Sequence, residues 1–214
     1  MPTLEDARDT YPTSVAWLAT RSEFPHLLNQ RQLFGCGIEI GVQHGEFSEV
    51  ILDDWRGRHL ISVDPWLTDA SEQYVDIANV TQSEHNALYE ETKQRLSRFG
   101  TRSSIWRMTS VEAASRIPDF SLDFAYIDAR HDYESMMEDL NAWHRKVRPG
   151  GVLAGHDYLD GHFTAGLFGV KRAVDEFFGA RSVTVYPTLL DTPWLTWITT
   201  VALPAVDASG SQSR

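Results

Sequence analysis

Short apolar runs separated by longer amphipathic stretches organise this chain. The runs are Cys36–Ile40, His59–Val63, Ser104–Trp106, Leu122–Ile127, Gly151–Ala154, Ser182–Tyr186 and Leu195–Val201. Several are apolar at consecutive positions, the pattern of strands buried on both faces of a parallel sheet. Helical spacing follows three of them: Phe47, Val50, Ile51 and Asp54; Tyr133, Met136, Met137, Leu140 and Trp143; Val170, Val174, Phe177 and Phe178. Strand–helix alternation predicts a doubly wound α/β sheet with helices on both sides. No helical stretch separates the last two runs, so they are expected to close the sheet as an antiparallel hairpin.

The flanks differ from this pattern. Residues 1–34 read as a helical N-terminal extension interrupted at Pro12 and Pro25, with Val15, Trp17, Leu18, Leu27 and Leu28 as its apolar contacts. It could cover a sheet edge, cap a site or form a dimer contact. Residues 35–203 form the main domain, and the small polar residues of 204–214 read as a frayed tail. A composition of 42% hydrophobic and 23% charged residues is that of a globular protein rather than a disordered one. No apolar run approaches the ~18 residues that span a bilayer. The first ten residues are acidic and lack the layout of a signal peptide. These features predict a cytoplasmic protein.

The formal charge of −11 argues against nucleic acid and anionic membranes as partners, since both attract basic faces. A single cysteine, Cys36, excludes an intrachain disulfide and a cysteine-based zinc site.

Ligands of doubly wound sheets bind beyond the carboxyl ends of the strands, so the residues there carry the candidate chemistry. Glu39-Ile40-Gly41-Val42-Gln43-His44-Gly45 follows the first strand and opens a helix. Its glycines permit a tight turn and close approach of a ligand. A purely structural strand-to-helix turn is the alternative. Asp64 ends the second strand, 25 residues after Glu39, where a carboxylate can accept from both hydroxyls of a ribose; a turn-initiating Asp before Pro65 is the alternative. Ser110 is placed to cap a helix, to touch an adenine edge, or both. Asp128 ends the fourth run and His156-Asp157 the fifth. Two carboxylates and an imidazole there suit a divalent cation. His131 lies three residues beyond Asp128 and suits a general base near neutral pH.

The segments EIGVQHGEFS, SVDPW, LDFAYIDARHDYE and RPGGVLAGHDY, in that order, resemble the class I S-adenosylmethionine-dependent methyltransferases. Within them the chain is similar to the Methyltransferase-24 and metal-dependent O-methyltransferase branch, over about residues 35–178. The resemblance implies a Rossmann-like sheet of six parallel strands and one antiparallel strand. It implies that Glu39, Gly41 and Gly45 hold the methionine moiety, Asp64 the ribose and Ser110 the adenine. It implies Asp128, His156 and Asp157 as ligands of a divalent cation, with magnesium expected. His156 departs from the family, where that position is acidic. IDARH stands where relatives often read IDGDH, so the base role falls to His131, and Arg130 is left to stack on adenine or bind substrate.

The implied reaction is methyl transfer to a hydroxyl that the cation acidifies and His131 deprotonates. Residues 66–82, with Trp66, Asp69, Glu72, Tyr74 and Asp76, and residues 158–169, with Tyr158, Asp160, His162 and Phe163, would shape the acceptor pocket. Aromatic rings mixed with acids favour a sugar hydroxyl, as in the actinobacterial sugar O-methyltransferases of methylated-mannose polysaccharide synthesis, which the chain resembles. A homodimer is expected from the apolar extension. The alternatives are a metal-independent methyltransferase, an NAD-dependent oxidoreductase and a catalytically silent cofactor-binding module. Gln43 and the spacing of the two glycines oppose the oxidoreductase.

Overall fold

The computed structural model describes residues 18–71 and 74–202. Half of the extension, including Val15 and Trp17, lies outside them, as do Glu72 and the tail. The strands are β1 (Cys36–Ile40), β2 (His59–Asp64), β3 (Ser103–Arg107), β4 (Leu122–Ile127), β5 (Val147–Gly155), β6 (Asp160–Phe163), β7 (Gly166–Gly169), β8 (Tyr186–Pro187) and β9 (Trp197–Thr200). The helices are α1 (Phe24–Gln30), α2 (Glu46–Asp54), α3 (Gln82–Leu96), α4 (Ser110–Arg116), α5 (Tyr133–Trp143) and α6 (Val170–Gly179). None is long and apolar enough to cross a membrane.

Seven strands form one sheet in the order β3-β2-β1-β4-β5-β9-β8. The pairs β1–β2, β1–β4, β2–β3 and β4–β5 are parallel; β9 runs antiparallel to both β5 and β8. The expected mostly parallel sheet with a closing antiparallel hairpin is present. Of the sixth apolar run, only Tyr186 enters the sheet, in the two-residue β8.

Alternation along the strands divides the core. Ile38, Ile40, Ile61, Val63, Ala125 and Ile127 face one side, with Ala113 of α4, Leu140 and Trp143 of α5, and Val174 and Phe177 of α6. Leu60, Phe124, Tyr126, Val152 and Ala154 face the other, with Leu27 and Leu28 of α1, Phe47 and Ile51 of α2, and Leu96 of α3. All of β4 is buried, as a strand flanked by helices on both faces requires.

Two elements have no counterpart in the apolar pattern. Helix α3 has a weak apolar stripe but a complete capping box. Thr81 Oγ1 accepts from the Glu84 amide, and the Glu84 carboxylate accepts from the Thr81 amide. The 158–169 segment is an antiparallel hairpin, β6–β7, rather than an open loop. Residues 76–77 dock on it: Asp76 bridges to Gly166, and the Ile77 amide donates to Ala165 O at 3.0 Å. Both are therefore structured walls over the carboxyl edge of the sheet.

Candidate active site

A cleft of about 840 Å³ opens at that edge. Every sequence-derived site residue except Gly45 lines it: Glu39, Gly41, Asp64, Ser110, Asp128, His131, His156 and Asp157. Gly45 (φ +74) precedes the first turn of α2 beside it.

Gly41 has φ +86, and a Cβ there would come 1.8 Å from Asp128 O. The chain thus turns off β1 directly against the end of β4, which only glycine permits. The Asp64 carboxylate fixes this turn. Oδ2 accepts from the amides of Val42 and Gln43, both at 3.0 Å, and Oδ1 accepts from the Trp66 amide at 2.7 Å. Asp64 therefore ties the first and second strand ends together while it lines the cleft. Trp66 is fully buried and donates from Nε1 to Gln43 O. It lines the cleft as expected, and this bond makes it a brace of the glycine turn as well.

Glu39 is buried beneath the turn, where Ser48 Oγ donates to it. Burial raises its pKa to about 8, against the opposing Ser48 bond and Arg21. Ser110 is not the N-cap of α4; Thr109 is, accepting from the Glu112 amide. The Ser110 hydroxyl instead donates to Asp139 and accepts from Trp143 Nε1 at 2.8 Å. Burial raises the Asp139 pKa to about 7.

The second half of the cleft is a cluster of carboxylates and imidazoles. His131 Nδ1 lies 2.7 Å from Asp76 Oδ2 and its Nε2 lies 2.9 Å from Asp157 Oδ2. Phe168 of β7 stacks on the ring at 4.6 Å. Burial opposes protonation of His131, but the bonds to Asp157 and Asp76 outweigh it and lift its pKa to about 10. The same bonds outweigh burial at the two carboxylates and hold both below the ordinary range. His156 Nδ1 is 3.0 Å from Asp157 Oδ1 and 3.9 Å from Asp128 Oδ1. Asp157 itself has φ +53, a strained conformation for a non-glycine residue.

Ligand atoms of Asp128, His131 and Asp157 all lie within 4.8 Å of one another. Two carboxylates with an imidazole match the donor set of a divalent cation, so these residues fit one. The geometry thus brings together the expected Asp128 and Asp157 and adds His131 to them, with His156 against the same carboxylates. Arg130 lines the cleft and is already engaged. Its guanidinium covers the Tyr74 ring at 3.9 Å and pairs with Asp69 at 2.8 Å and Asp132 at 3.3 Å.

Sequence reasoning missed two participants. Asp76 was visible only as one of several acids in the 66–82 segment; nothing local links it to a histidine 55 positions away. Arg21 belongs to the extension, yet its Nη1 reaches Asp128 Oδ2 at 3.3 Å.

Fold and site together define a methyltransferase domain. A family model described as a methyltransferase domain, Methyltransf_24, matches residues 38–158, more than half the chain. The chain belongs to this family. An uncharacterised protein, R132, of Acanthamoeba polyphaga mimivirus is 23% identical over 123 residues, covering 58% of this chain. The match takes in 51% of that relative, so the chain spans about half its length. Among solved structures, the O-methyltransferase TomG of Streptomyces achromogenes, involved in tomaymycin synthesis and bound to S-adenosylmethionine, superposes with TM-score 0.59 at 15% identity, over 91% of this chain and 86% of its own. An O-methyltransferase of Bacillus cereus in complex with S-adenosylhomocysteine gives 0.55 at 14%, over 91% and 86%. An rRNA methylase of Streptococcus thermophilus gives 0.56 at 13%, over 85% and 94%. At these identities the superpositions establish the fold.

Proposed function

We propose that this protein transfers a methyl group from S-adenosylmethionine to a hydroxyl oxygen of a small molecule, with a divalent cation held by Asp128 and Asp157. The observation that carries this reading is one cleft in which an Asp64-braced glycine turn meets the Asp128–His131–Asp157 cluster. The donor supplies an electrophilic sulfonium methyl, and the cation supplies positive charge that lowers the pKa of the acceptor hydroxyl.

The residues of the chain do the rest. Asp64, already fixed by three amides, has one lone pair left, on Oδ1, to accept from a ribose hydroxyl. Asp76 accepts from His131 Nδ1 and so directs Nε2 into the cleft. Asp157 occupies Nε2 in this arrangement. With the Asp157 carboxylate engaged in holding a cation, Nε2 would be free and its imidazole pKa lower, and Nε2 would then serve as the base for the acceptor proton. The proximity of His131 to both carboxylates favours a second reading, in which His131 is itself a ligand and Asp76 orients it. Cation titration into His131→Ala separates the two. Retained affinity identifies the base, and lost affinity identifies the ligand.

A sugar is the acceptor we favour. Phe168 and Trp194 line the cleft beside His131 and cluster with Phe163, centroids 5.4 to 5.8 Å apart, and acidic groups line the same cleft. Such a mixture suits the apolar face and hydroxyls of a carbohydrate, including the mannosides. The acid surplus opposes an RNA acceptor despite the fold shared with an rRNA methylase. The same reading has the enzyme acting in the cytoplasm as a homodimer.

Calorimetric titration of S-adenosylhomocysteine and of an NAD analogue, each with and without Mg²⁺, tests the core of the proposal. Binding of the homocysteine compound alone is expected. Binding of the dinucleotide alone would overturn the methyltransferase reading.

A further inference from the structure

Arg21 is an unusual resident of the cleft, and its backbone is firmly placed. It opens a 3₁₀ turn, Arg21–Glu23, and its amide donates to Asp191 Oδ2 at 2.6 Å. Two residues earlier, Ala19 O accepts from the amides of Leu189 and Leu190 at 3.2 and 2.9 Å, and Leu18 is buried. The guanidinium lies 4.3 Å above the ring of Phe47, in the first turn of α2 directly after the glycine turn. Its side chain is 30% exposed.

A guanidinium carries five N–H donors. Among the described residues this one makes a single side-chain bond, from Nη1 to Asp128 Oδ2, at the long distance of 3.3 Å. The second guanidinium lining the cleft, Arg130, is engaged by Asp69, Asp132 and Tyr74. The β1–β4 end therefore has acids in Glu39, Asp64 and Asp128 but one guanidinium, Arg21. An amino-acid group bound there brings an ammonium, which those acids suit, and a carboxylate, which needs a cation. Planar, bidentate recognition of a carboxylate is what a guanidinium does best. A divalent cation on Asp128 would also repel Arg21 and release it for that role.

We infer that Arg21, braced on Phe47, is the carboxylate receptor of the donor site and binds the α-carboxylate of the methionine portion of S-adenosylmethionine. The inference rests on the methyl-donor reading above and deepens it.

The test compares S-adenosylmethionine with its decarboxylated analogue, which keeps the sulfonium and the ammonium. Both are titrated into the full chain and into Arg21→Met and Arg21→Lys. Wild type is expected to favour the intact cofactor by about 10- to 100-fold, the range for charge-assisted bonds. Arg21→Met should lose that preference by weakening on the intact cofactor alone, and Arg21→Lys should recover part of it. Undiminished preference in Arg21→Met overturns the inference. So does equal weakening on both ligands, which marks a structural role. Failure of wild type to bind either ligand refutes the donor reading itself, a result distinct from these.

Discussion

Replacing Asp76 by Asn removes one negative charge from His131 while leaving an oxygen able to accept from Nδ1. Asp76 and His131 are both largely buried, with side chains 3% and 16% exposed, so solvent screens their interaction little. The His131 pKa of about 10 lies well above its ordinary 6.5. At 1.36 kcal/mol per pH unit that gap corresponds to roughly 5 kcal/mol. Two carboxylates share it, so Asp76 accounts for roughly 2 kcal/mol. Because the folded pKa is raised, this stabilisation is fully present below pH 6.5 and disappears as pH rises through about 10. Urea unfolding of Asp76→Asn should accordingly show a loss of roughly 2 kcal/mol at pH 6, shrinking to nothing as pH rises through about 10. NMR titration of the His131 ring should give a pKa well below that of wild type. An unchanged His131 titration in the variant would refute the idea that Asp76 sets the charge of this imidazole.

Gly41→Ala drives a Cβ to 1.8 Å from Asp128 O at a residue with φ +86. Backbone strain and overpacking together should cost roughly 3–5 kcal/mol, and an unfolding midpoint equal to wild type would contradict the close approach of the two strand ends. Glu39→Gln removes a buried acid whose folded pKa is raised from 4.5 to about 8. Its stabilising contribution is present below pH 4.5 and is lost as pH rises through 8, so the variant should gain roughly 2–4 kcal/mol on wild type between pH 4.5 and pH 7; parallel stability–pH curves would show that Glu39 is not held protonated. Asp157→Asn should lower cation affinity at least tenfold while S-adenosylhomocysteine binds nearly as before, with calorimetry as the check. Equal loss of both would make Asp157 a structural residue.

Much of this protein is legible in its sequence because the relevant physics is local. Consecutive apolar residues such as Leu122–Ile127 can only be satisfied between two helical layers, and that places Asp128 at a strand end on the cleft. Gly41 and Asp64 are legible for the same reason: a positive φ and a carboxylate at a strand tip are set by short stretches of chain. Helix α3 was hidden because it relies on its Thr81–Glu84 cap and on packing at few positions rather than on a strong apolar stripe. Ser110 and Trp66 fit their local patterns, yet tertiary contacts turned one toward Asp139 and Trp143 and buried the other under Gln43. The charge state of the site belongs to tertiary structure entirely. His131 is an ordinary imidazole until Asp76 and Asp157, 55 and 26 positions away, close on its two nitrogens. Arg21 becomes a cleft residue only because folding carries it across 107 positions to Asp128. Hydrophobic periodicity specifies which face of an element is buried, whereas pKa values and ion pairs depend on distances between segments, and only the folded chain sets those distances.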